Sequence, residues 1–264
     1  MDKSVSIFGI PFAGKTVYLS ILFDQIKRYG FGDYLLDIKD HFETMDYLDF
    51  ILKDLYQNGV IYKTPSKQFK ELKLKIVYKD KNEIKTAFMI STYDLSGEDI
   101  QNIFDPRFHS LISKSVVPPE LRESQKKIMQ MLYLGNCFIL LADPNPNGYT
   151  FDEQDTMFTI ILRIIKKNNE KKKFLKVKSN NFLKEIKIAF CISKCDLINV
   201  FDTKKFVEEN FPFTYKYLEI NFTNNYVCIP ISSLGLNASS IKYPLLDSFK
   251  PFNVIEPLRF FLSS

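Results

Sequence analysis

Apolar and polar positions along this chain follow two distinct periods, and each change of period marks an element. Residues 4–7 form a short apolar strand running into a glycine-containing turn. Over 16–28, Leu19, Leu22, Phe23 and Ile26 fall at helical spacing until Gly30 stops the helix. A second helical pattern (Leu35, Ile38, Phe42, Met45, Leu48, Ile51, Leu52, Leu55) predicts a helix over 34–56, ended by Asn58-Gly59. The period then shortens to two. Residues 71–79 alternate charged with apolar side chains and residues 86–93 follow a short polar break, so the pair predicts an antiparallel hairpin.

Residues 137–142 (CFILLA) and 186–192 (IKIAFCI) are nearly unbroken apolar runs, as expected of strands covered on both faces. Residues 226–231 add a sixth strand. Helical patterns over 123–134, 156–167, 203–210 and near 255–262 separate or follow these runs. Strands alternating with helices imply right-handed crossovers. The expectation is an α/β protein of three layers, with a mostly parallel six-stranded sheet and one antiparallel edge strand.

Composition narrows the class without naming it. At 264 residues with 45% hydrophobic and 25% charged residues the chain is globular, and it carries 25 Phe and no Trp. The cysteines at 137, 191, 195 and 228 lack the second pair or the histidines of a zinc site and read as reduced, mostly buried thiols. No stretch approaches a membrane span and residues 1–7 lack the apolar run of a leader, so a cytoplasmic location is expected. The net charge is +5, with a lysine-rich stretch, KKNNEKKKFLKVK, over 166–178. Such a stretch can bind anionic lipid or nucleic acid. No base-reading motif accompanies it, so nucleic acid is disfavoured and a solvated charged loop outweighs a membrane contact.

The chemistry begins at Gly9–Thr16, GIPFAGKT, which fits G-x-x-x-x-G-K-[ST] with a strand before it and a helix after it. Its glycines let backbone amides face phosphate oxygens, and the helix N-terminus favours anions. Gly9, Ala13, Gly14, Lys15, Thr16 and Val17 are the expected nucleotide-binding residues. Lys15 is placed to reach the β and γ phosphates, and Thr16 to ligate Mg2+. Asp94-Leu95-Ser96-Gly97-Glu98 follows the strand ending at Tyr93. There Asp94 would hold the metal through water and Gly97 would sense the γ phosphate.

Ser193-Lys194-Cys195-Asp196, after the strand at 186–192, resembles the guanine-selecting N/T-K-x-D box of Ras-like GTPases, and the three boxes stand in that family's order. The resemblance implies a three-layer P-loop fold binding GTP or GDP with Mg2+. It implies that Asp196 accepts from the guanine edge while Lys194 packs along the base and braces the phosphate loop. Ser193 departs from the usual Asn or Thr. Ser232-Ser233-Leu234-Gly235 resembles the loop that meets the base through backbone amides, and Thr64 is the expected switch threonine on the metal. The phosphate-loop spelling and the insertions, at about 33–58, 104–134 and 166–184 of a single domain over 1–264, resemble the prokaryotic double-GTPase group.

In that family water attacks the γ phosphate. Glu98 stands where a glutamine is usual, so Lys15, Gly97 and Glu98 are the expected catalytic residues and hydrolysis is expected to be slow. Arg107 or Arg122 could act as an arginine finger in cis, with a surface ion pair the more common role of such residues. The implied role is a nucleotide-dependent switch read by a protein effector, with a nucleotide-dependent homodimer left open; a scaffold without hydrolysis and a P-loop ATPase are the alternatives.

Overall fold

The computed structural model describes residues 3–37, 42–58, 69–81, 83–95, 123–145, 149–177, 185–198, 202–235 and 250–263. Its centre is a seven-stranded sheet of order β2-β3-β4-β1-β5-β6-β7. In chain order the elements are β1 (Lys3–Gly9), α1 (Lys15–Tyr29), β2 (Tyr34–Asp37), α2 (Phe42–Asn58), β3 (Phe69–Asp80), β4 (Glu83–Leu95) and α3 (Glu123–Leu134). They continue with β5 (Cys137–Ala142), α4 (Phe151–Val177), β6 (Lys187–Ile192), α5 (Thr203–Asn210), α6 (Pro212–Asn221), β7 (Tyr226–Pro230) and α7 (Glu256–Leu262). Strands β4, β1, β5, β6 and β7 run parallel, whereas β3 runs against both β2 and β4. The α/β class and the mostly parallel sheet agree with the sequence.

Every residue of β5 and β6 is buried, which is why both read as unbroken apolar runs. The phenylalanines fill the layer between β6 and the helices on one face. Phe158 meets Phe190 edge-on at 5.1 Å, and Phe211 lies 5.4 Å from Phe190 and 5.5 Å from Phe151.

Three expectations need correcting. Residues 34–56 are not one helix: Tyr34–Asp37 pairs antiparallel with β3 as a seventh strand, and the helix starts at Phe42. The reversal sits at Gly32, φ 59°, between the mutually bonded Phe31 and Tyr34. The antiparallel β3 therefore lies inside the sheet, and β2 takes the edge. The lysine-rich stretch is not a loop, because α4 continues to Val177 and takes in all of it but residue 178, which lies outside the described residues. Finally, α6 was not foreseen. Its N-terminus is held from α4, where the buried Asp155 accepts from the Phe213 amide at 2.9 Å and the Thr214 amide at 2.7 Å.

Candidate functional site

The carboxyl ends of β4, β1, β5 and β6 meet on one side of the sheet, and the motifs lie there. Gly9 ends β1 and pairs in register with Leu141 of β5. A Cβ at Gly9 would stand 2.6 Å from the Leu141 carbonyl oxygen, so a bare backbone is needed for the strands to close where the loop departs. Gly14 caps α1 in the left-handed region at φ 83°. Phe12 also has positive φ, 65°, with its side chain half exposed; for a bulky residue this is a strained conformation held by the loop around it.

Lys15 opens α1 and folds back over the loop, its Nζ donating to the Gly9 and Ile10 carbonyls at 3.0 and 2.9 Å. Its ammonium thus lies against the loop backbone beside the positive end of α1. Thr16 and Val17 follow in the same turn, partly buried, and Ala13 is fully buried. Strand β4 flanks β1 in parallel with Val5 beside Ile90. Asp94 lies four residues further along β4, one before its carboxyl end. Thr64, Gly97, Glu98, Arg107 and Arg122 lie outside the described residues.

The second half of the site is built on β6 and β7. Ser193 is buried and its Oγ donates to the Ala142 carbonyl at 2.8 Å, tying the end of β6 to the end of β5. Lys194 turns the chain at φ 49° into a short 3-10 turn, Cys195–Leu197, and the Cys195 amide donates to the Ile231 carbonyl at 3.1 Å. Asp196 is then held from β7: the Ser232 Oγ donates to Asp196 Oδ1 at 2.5 Å while accepting from the Gly235 amide at 2.8 Å. Ser232, fully buried, thereby sets the direction of the Asp196 carboxylate through its side chain, and Ser233 follows it in the same loop. Burial, helped by the neighbouring Asp196 charge, pushes the Cys195 thiol up to about 11, which keeps it a protonated packing group.

Sequence reasoning missed Asp143. It follows β5 directly and is buried, yet its Oδ2 receives the Lys194 ammonium at 2.6 Å. An acidic residue placed straight after an unbroken apolar strand, level with the strand end that carries Lys194, was the available signal. Among the described residues no group of His, Cys, Asp and Glu forms a metal cluster, and no helix is long and apolar enough to cross a membrane.

The parallel sheet, the G-x-x-x-x-G-K-T loop between β1 and α1, and the Lys194–Asp196 turn after β6 define the class, a three-layer P-loop fold of the Ras-like kind. Residues 6–115 match the family described as Double-GTPase 1. Among curated proteins none matches in sequence.

Solved structures with a similar course include the Arl6 BBS3 small GTPase from Trypanosoma brucei with bound GppNp. It is 11% identical with a TM-score of 0.38, over 98% of this chain and 95% of that one. The signal recognition particle receptor SRb-GTP/SRX complex from Chaetomium thermophilum is 12% identical, with a TM-score of 0.46, over 89% and 92%. The Methanosarcina barkeri Roco2 RocCORdC bound to GDP is 15% identical, with a TM-score of 0.30, over 88% of this chain. This chain spans 43% of the length of that Roco2 protein.

Proposed function

We propose that the chain binds GTP and GDP with Mg2+ at the carboxyl edge of the sheet, hydrolyses GTP slowly and acts as a nucleotide-dependent switch. The observation that carries the reading is the Asp196 carboxylate, fixed by Ser232 two strands from the phosphate loop. Guanine presents a paired donor edge that a fixed carboxylate can accept from. Adenine has none, and a carboxylate facing it would gain no such donors there.

Lys15 would move from the loop carbonyls it now bonds onto phosphate oxygens, carrying its charge to where negative charge collects during transfer. Thr16, in the first turn of α1, and Asp94, near the carboxyl end of β4, would supply the hydroxyl and carboxylate oxygens that Mg2+ prefers. When bound, the metal would neutralise charge on the β and γ phosphates. Glu98 limits turnover in this reading, since a carboxylate accepts a proton from water but donates no hydrogen bond to the transition state.

The test is GDP formation from GTP in magnesium under single-turnover conditions. The parent chain is expected to hydrolyse slowly, and Glu98→Gln to be faster by about 10-fold or more. A fast parent enzyme that Glu98→Gln slows would contradict the assignment. GTP left intact by both proteins would favour a binding scaffold.

A further inference from the structure

The pair between Lys194 and Asp143 needs a reason beyond stability. Burying a carboxylate costs its hydration, and in this pair the Asp143 side chain is 1% exposed while that of Lys194 is 32% exposed. Asp143 has nevertheless been given a complete set of partners. Its Oδ2 takes the Lys194 ammonium at 2.6 Å and its Oδ1 takes the Asn145 amide at 3.0 Å.

Its backbone is gripped as well. The fully buried Gln154 accepts from the Asp143 amide at 3.0 Å and donates to the Asp143 carbonyl at 2.9 Å, using both ends of one side-chain amide. Gln154 is itself fixed, because it lies in the first turn of α4, whose start is locked by a reciprocal cap. The Thr150 amide donates to Glu153 Oε2 at 2.7 Å and the Glu153 amide to the Thr150 Oγ1 at 3.1 Å. A chain of fixed contacts therefore runs from the α4 cap through Gln154 and Asp143 to Lys194, two residues before Asp196.

We infer that Asp143 and Gln154 are positioning residues for the nucleotide base, setting the place of Lys194 from the start of α4 without touching the nucleotide themselves. The inference rests on the guanine reading and adds to it a control of affinity from outside the motifs. Movement of the α4 start would be felt at the base through this chain of bonds.

The experiment is a double-mutant cycle on GDP affinity, read by calorimetry with Asp143→Asn, Lys194→Met and the two combined. The Asp143→Asn change is isosteric and leaves an oxygen that can still accept from the Asn145 amide, so this variant is expected to fold. Asp143→Asn should weaken GDP binding about tenfold in the parent chain and cause no further loss in the Lys194→Met background. Gln154→Glu, which keeps the bond from the Asp143 amide and loses the one to its carbonyl, should behave the same way and serves if Asp143→Asn does not fold. Equal losses in both backgrounds, as general disruption of the site would give, overturn the inference; so does an unchanged affinity. A parent chain that binds no GDP overturns the guanine reading, and this inference with it.

Discussion

At the scale of single residues, two positions on the phosphate loop separate folding from binding. A methyl at Gly9 would sit 2.6 Å from a β5 backbone oxygen, which cannot swing aside as a side chain could. Gly9→Ala is therefore predicted to destabilise the protein by about 1–3 kcal/mol, read as a lower midpoint in thermal unfolding. An unchanged midpoint would mean that β1 and β5 are less closely packed than described. Lys15→Ala is predicted to leave that midpoint within a few degrees and to weaken triphosphate binding by about 2–5 kcal/mol, measured by calorimetry. The loop and the Lys194–Asp196 turn were legible because each is a short motif at a strand end, where backbone conformation dictates residue type. Asp143 and the side-chain role of Ser232 were not. Both depend on which strands become neighbours, and β5 beside β6 and β6 beside β7 are tertiary facts that no local spelling carries.

At the scale of elements, the cap on α6 shows how one helix anchors another. Asp155→Ala leaves the Phe213 and Thr214 amides without their acceptor, and a loss of about 2 kcal/mol in urea unfolding is predicted. A loss under half that size would show that water replaces the carboxylate. The helix escaped sequence reading because Pro212-Phe213-Thr214-Tyr215 has no strong apolar stripe, and its start is capped by a residue far away in the chain. Strand β2 escaped for a different reason. Leu35 continues the helical spacing of the next helix, and so short a run cannot be told from a turn of helix by periodicity. What decides it is β3, which pairs with it and adds the Lys75–Asp37 ion pair at 2.9 Å. The longer strands β5 and β6 were read almost to the residue, because burial on both faces leaves an apolar run that needs no partner to interpret.

At the scale of the whole molecule, the buried thiols tie stability to alkaline pH. Cys195 is pushed up to about 11 and Cys228 up to about 12, both chiefly by burial, while the ordinary value is 9.0. A raised folded value means that the unfolded chain gives up its proton first. Stability from these groups is therefore whole below pH 9 and lost as pH rises through 11 and 12. Lys3, whose value burial lowers from 10.5, works in the opposite sense below 10.5, but it is one group against several. Urea unfolding is predicted to show lower stability at pH 10.5 than at pH 8, and equal stability would mean that the thiols are solvated. Choice of base is the property that Asp196 would set. Calorimetric titration of nucleotide-stripped protein with GDP and ADP in magnesium, beside Asp196→Ala, measures it. Tight GDP binding that is lost in Asp196→Ala, with weak ADP binding throughout, is the predicted result; ADP bound as well as GDP, or a substitution without effect, would contradict it.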